Sequence, residues 1–173
     1  MKNSIIASIV ALGITGGAAH AADSTVIFQG AVSATTCDLT PSVGGAYLPD
    51  STISLGTVAP NTEGQAVEFA LKASNPQDAA CQGLGAQQTA TVSWASAKFN
   101  ATGLSVDGSA SDATVLLNSV NAKTPAAITL SQNSADFTAD KVVNDGLKFS
   151  AKTKGGAQPG TFTTAASFAV AYK

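Results

Sequence analysis

Apolar and polar residues alternate with period two along most of the chain, in short stretches bounded by Gly, Pro, Asn and Asp. Such alternation puts every second side chain on one face, the pattern of a half-buried strand. Val26, Phe28, Gly30 and Val32 alternate with Ile27, Gln29 and Ala31, then Ile53 and Leu55 with Thr52 and Ser54, then Val67, Phe69 and Leu71 with Glu68 and Ala70. Ala90, Val92 and Trp94 continue the series, followed by Val115, Leu116 and Leu117, by Ile128 and Leu130, by Leu147 and Phe149, and last by Phe168, Val170 and Tyr172. No segment carries an apolar stripe at helical spacing. Seven or eight strands in about 150 residues, with turn signals at Asn144-Asp145-Gly146 and Lys154-Gly155-Gly156, predict an antiparallel β-sandwich. Neither an internal repeat nor an interdomain linker breaks the pattern.

The first residues follow a different rule. Lys2 precedes a short apolar run from Ile5 to Ile14, and Ala19-His20-Ala21 has the small-x-small form of a cleavage site. Residues 1–21 therefore read as a secretory signal. A membrane anchor would need about 20 continuous apolar residues, and Gly16-Gly17 with His20 interrupts the run too early. Removal of the signal leaves 152 of the 173 residues.

Composition narrows the chemistry. Nine lysines, no arginine, a net charge of -2 and a pI near 5.1 argue against a phosphate-backbone binder, which needs a clustered basic face, so nucleic acid is not expected as a partner. The only histidine, His20, lies in the signal, so the mature chain lacks imidazole for a catalytic triad or a transition-metal site. No nucleophile with a base and no paired carboxylates appear, and an enzyme is not expected, nor is a cofactor or metal. Cys37 and Cys81 stand 44 residues apart, neither a redox C-x-x-C nor a zinc knuckle. In an exported chain a lone pair reads as a structural disulfide. It would restrict the unfolded chain by roughly 3 to 4 kcal/mol in the chain-entropy model.

The two ends of the pattern carry the functional information. The last strand runs to Tyr172 with only Lys173 beyond it, which leaves its outer side without a partner from downstream. Residues 22–36 alternate strongly but precede the first cysteine as an arm. An unpaired edge exposes backbone donors, acceptors and core side chains. The economical candidate to fill it is the arm of another copy, because strand addition satisfies the backbone while alternate side chains enter the groove. Head-to-tail donation does not close, so the product is a filament.

Residues 26–32 (Val-Ile-Phe-Gln-Gly-Ala-Val) before Cys37, Ile53-Ser54-Leu55-Gly56 before Cys81, and Gly160-Thr161-Phe162 through Ala171-Tyr172-Lys173 occur in this order behind a signal. Jointly they resemble the pilins of the chaperone-usher pathway, close to the type 1 fimbrial group. The resemblance covers the whole mature chain. It implies an all-β, incomplete immunoglobulin-like sandwich over residues 37–173 that lacks its last strand and is completed by a strand from the next subunit. It also implies a periplasmic chaperone that lends a strand temporarily, an outer-membrane usher, neighbouring pilins in a homopolymer, and a place on the cell surface. Under it, the donor positions fall on Val26, Phe28, Gly30 and Val32 of the arm, residues 22–36. The disulfide falls on Cys37 and Cys81, and the chaperone-recognised strand on Phe168, Val170 and Tyr172.

Other readings stand beside these. Tyr172 would by periodicity alone be a core aromatic whose hydroxyl meets water, and Gly30 a simple bulge. Trp94, beside Val92 on an alternating strand, reads as core rather than as a sugar-stacking platform. Asp107, Asp112, Asp136, Asp140 and Asp145 lack the spacing of a calcium loop and read as solvated loop charges. Between functions, a shaft subunit uses the arm, the open edge and the disulfide together. A minor or adaptor pilin at the tip would use the same parts, and a host-surface receptor for the assembled fimbria is compatible with either. A two-domain adhesin needs a lectin domain that 152 residues do not hold.

Overall fold

The computed structural model describes residues 37–173. The segment read as a signal, residues 1–21, and the arm, residues 22–36 with Val26, Phe28, Gly30 and Val32, lie outside the described residues. No described helix is long and apolar enough to cross a membrane.

Period-two alternation becomes strand wherever both faces find a use. The chain runs through β1 (Leu39–Val43), β2 (Ala46–Tyr47), β3 (Val67–Ala73), β4 (Thr89–Ala95), β5 (Leu104–Ser105), β6 (Asp107–Gly108) and β7 (Thr114–Ser119). It continues through β8 (Ala127–Ile128), β9 (Ser134–Thr138), β10 (Leu147–Lys154), β11 (Phe162–Thr163) and β12 (Ser167–Tyr172). One sheet has the order β2-β1-β3-β10-β7-β5 with β8 also on β7, a second the order β12-β4-β9, and β11 pairs with β6 in a short ribbon. Every pairing is antiparallel.

Side-chain alternation decides which face of each strand is buried. On β10, Leu147, Phe149, Ala151 and Thr153 point inward; on β4, Ala90, Val92 and Trp94 do the same from the second sheet. The rings meet in the middle. Phe149 stacks on Phe69 with centroids 5.7 Å apart and receives Trp94 edge-on at 5.2 Å and Phe137 at 5.3 Å. These are the separations at which ring quadrupoles attract, so the contact adds to the burial of area.

Three local devices complete the frame. Gly44 and Gly45 join β1 to β2 with φ of +58° and +86°, the two left-handed positions that a tight hairpin turn requires. Asp78 caps a one-turn helix, Ala79–Gln82, by accepting the Ala80 N–H at 2.9 Å. That turn carries Cys81, which is bonded to Cys37 with the Cα atoms 4.9 Å apart.

The structure departs from the expected strands in two places. Residues 52–55 form no strand: Ile53 and Leu55 pack partly buried against the core and Thr52 and Ser54 face outward, but residues 52–58 make no backbone hydrogen bond to another described residue. The alternation is a packing pattern there, without a neighbour to make a ladder. Ile128 is fully buried at the end of the two-residue β8, whereas Leu130 is 66% exposed, because the chain turns away through Thr129 and Ser131.

The core predicts its own sensitivity. Phe149→Ala should cost about 3 to 5 kcal/mol, whereas Leu130→Ser should stay within about 0.5 kcal/mol. Denaturant unfolding of both variants checks the contrast.

Candidate functional site

The second sheet ends on β12. Its inner side pairs with β4 from Ser167 opposite Ala95 to Tyr172 opposite Ala90, and its other side has no strand partner among the described residues. Lys173 and Thr89 exchange both of their backbone bonds, N–H to carbonyl at 2.9 and 2.8 Å. Because antiparallel bonds recur every second residue, Ser167, Ala169 and Ala171 also face β4. The amides and carbonyls of Phe168, Val170 and Tyr172 therefore point to the open side.

Next to this edge lies a cleft of about 880 Å³. Its floor is core: Phe69, Trp94, Val115 and Leu117. One wall is the approach to β12, residues 161–166 with Phe168; the other is the unpaired segment 50–60, with Ile53 and Leu55. Ser51 and Gly56 bracket the alternating part of that wall with φ of +53° and +71°. Its foot is tied to the end of β10. Asn61 donates to the Gly156 carbonyl at 2.9 Å, Gly155 to Thr62 at 2.8 Å and Gly64 to Thr153 at 2.8 Å. Lys152 and Glu63 form an ion pair beside these bonds, and its hydrogen bond and charge hold the exposed Glu63 carboxyl below the usual value.

The residues singled out in the sequence are distributed as follows. Phe168 lines the cleft and leans on Trp94 at 5.5 Å. Val170 and Tyr172 continue the same face, partly buried against the core but beyond the cleft lining. The Tyr172 hydroxyl donates to the Cys37 carbonyl at 3.1 Å, not to solvent. Burial, with a smaller contribution from Asp38, pushes its pKa up to about 12. Disulfide and hydrogen bond together fix the point from which the chain's earlier residues lead.

Trp94 is buried core, and its Nε1 has no hydrogen-bond partner among the described residues, nor has the buried Thr153 hydroxyl. Asp107, Asp112, Asp136 and Asp145 are exposed, as expected of solvated charges, but Asp107 and Asp136 lie on β6 and β9 rather than in loops, and three of the four have partners. Asp107 pairs with Lys98, Asp136 accepts from the Thr91 hydroxyl at 2.7 Å, and Asp112 accepts backbone N–H groups of the 155–158 turn. Loop composition could not show these partners, since Thr91 and the turn are 45 or more positions away in the chain. The wall at 50–60 was also missed as part of a site; its alternation was visible, but as a strand. Among the described residues no three His, Cys, Asp or Glu side chains converge as a metal site.

The arrangement offers a row of backbone groups without partners among the described residues, beside an apolar trough. Two kinds of interaction are available there, ladder hydrogen bonds and side-chain burial, and an extended segment uses both.

Burial of Tyr172 has a measurable sign. The fold favours the neutral phenol, so this contribution to stability is complete below the ordinary tyrosine value near 10 and is lost as the pH rises toward about 12. Spectrophotometric titration should show a tyrosinate step near pH 12 that is missing from Tyr172→Phe; a Tyr172 step at the ordinary value would contradict the burial.

Comparison with known proteins gives a consistent picture. No family model matches the chain. It is 41% identical to the F107 fimbrial protein of Escherichia coli over the full length of both chains, and 30% identical to the K99 fimbrial protein of Escherichia coli over 99% of each. Among solved structures, the P pilus rod subunit PapA superposes with a TM-score of 0.52 at 12% identity, over 86% of this chain and all of that one. That likeness shows the fold, an incomplete, mostly β immunoglobulin-like sandwich.

Proposed function

The chain belongs to the family of its F107 and K99 fimbrial relatives, as a non-catalytic fimbrial subunit, and we propose that it polymerises by donor-strand exchange as the repeating shaft subunit of a surface fimbria. The observation that carries the reading is the edge of β12, which has no strand partner among the described residues, beside an apolar cleft. In this reading residues 1–21 direct export and are removed. A periplasmic chaperone then lends a strand to β12, with Phe168, Val170 and Tyr172 as the recognised face. At an outer-membrane usher the arm of the next subunit, residues 22–36, replaces that strand. Val26, Phe28, Gly30 and Val32 share one face of the arm by the period of a strand. The motifs at residues 26–32, 53–56 and 160–173 support a place close to the type 1 group, a finer statement than the family itself.

The magnitudes suffice for a joint. Each large apolar side chain moved from water into the cleft contributes roughly 1.5 to 3 kcal/mol, and Val26, Phe28 and Val32 offer three. New ladder bonds add about 0.5 to 1.5 kcal/mol each. Gly30, on the same face without a side chain, marks where the neighbour's cleft is shallow.

The test mixes the chaperone-bound subunit with synthetic peptides of residues 22–33. The unmodified peptide and Gln29→Leu should displace the chaperone, while Gly30→Leu should fail, since overpacking costs about 1 to 3 kcal/mol or more. Equal displacement by all three would refute the register, and displacement by none would refute strand donation. Abundance along purified filaments separates a shaft subunit from an adaptor confined to the tip.

A further inference from the structure

We infer that Asp112 sets the width of the cleft, and with it the rate at which a strand is accepted, by holding the 155–158 turn against the foot of the opposite wall. The inference rests on the strand-accepting reading above and assigns a positioning residue to it.

The geometry is a chain of contacts across the end of the cleft. The Asp112 carboxylate accepts the Ala157 N–H on Oδ2 at 2.7 Å, and the Gln158 N–H at 3.2 Å on Oδ2 and 3.3 Å on Oδ1. Hydrogen bonds to an ionised acceptor are about twice as strong as neutral ones, so two successive amides are held by one side chain. The turn closes tightly over that carboxylate: a Cβ on Gly156 would fall 2.2 Å from its Cγ and Oδ1.

The other side of the same turn carries the wall. The Gly156 carbonyl accepts from Asn61, Gly155 donates to Thr62, and a Cβ on Gly155 would lie only 2.8 Å from the Ala59 carbonyl oxygen. Residues 155–156 are thus a spacer of backbone thickness between Asp112 and residues 59–62. Asp112 is itself well founded. It sits between the buried Ala110 and Ala113 at the start of β7, and Ser109 of the same loop accepts the Thr161 N–H at 3.0 Å. Residues 52–58 have no ladder of their own among the described residues, so their distance from β12 depends on this foot. Loss of the carboxylate frees the turn, and the foot of the wall is released with it.

The experiment uses the full-length subunit in its chaperone complex, as wild type, Asp112→Ala and Asp112→Asn. A labelled peptide of residues 22–33 reports acceptance, and amide hydrogen exchange on the same samples reports the wall. Asp112→Ala should accept the peptide about tenfold more slowly, the effect of losing one charge-assisted contact. Its amides at Asn61, Ala157 and Gln158 should exchange faster while β10 is unchanged. Asp112→Asn keeps an acceptor oxygen and should stay within about threefold of wild type. The unchanged exchange of β10 separates this effect from a general loss of stability, which would speed exchange there as well. Wild-type acceptance by Asp112→Ala, or unchanged exchange at Asn61, overturns the inference. If the wild type takes up no peptide, the strand-accepting reading falls, and exchange at Asn61 still decides whether Asp112 holds the wall.

Discussion

A β-strand with one free side is an unsettled account of hydrogen bonds: each backbone amide and carbonyl that leaves water must meet a partner. The rest of this structure is arranged around that constraint at β12. Phe168, Val170 and Tyr172 turn their backbone groups outward, and the same residues alternate their side chains toward the core. Whatever covers the edge must therefore supply a ladder and apolar side chains in one register, which only an extended segment does.

The sandwich tolerates the open edge because its stability is concentrated elsewhere. Phe149 holds Phe69, Trp94 and Phe137 about it, β10 is paired on both sides, and the Cys37–Cys81 bond ties the start of β1 to the helical turn before β4. The cleft lies to one side of this cluster, floored by Trp94 and Phe69 but walled by segments with little secondary structure. Filling it adds a strand without rebuilding the core. That separation lets one fold persist while its edge changes partner.

Much of this was legible in the sequence, for a physical reason: a half-buried strand writes its two faces directly into alternate residues. The inward sets of β4 and β12, with Leu147 and Phe149 of β10, could be read residue by residue, and so could the role of Trp94 as core. The unbroken run Val115, Leu116 and Leu117 on β7 did not show that Leu116 faces away from the core. What else was not legible depends on partners distant in the chain. Ile53 and Leu55 alternate like a strand, but whether a ladder forms depends on a neighbour that the sequence does not place. Asp112 looks like a solvated loop charge until the fold brings the amides of Ala157 and Gln158 to it. The Cys37 carbonyl that receives the Tyr172 hydroxyl is a backbone group, invisible to any pattern of side chains.

In a fimbria joined by strand donation, the outer side of β12, which has no strand partner among the described residues, is covered by the donated strand. Residue-resolved hydrogen exchange at the amides of Phe168, Val170 and Tyr172, measured on the isolated subunit and on intact filaments, tests it most directly. Fast exchange is expected at these three amides in the subunit, with Ser167, Ala169 and Ala171 slower against β4, and strong protection of all six in the filament. Fast exchange of Phe168, Val170 and Tyr172 in intact filaments would contradict it.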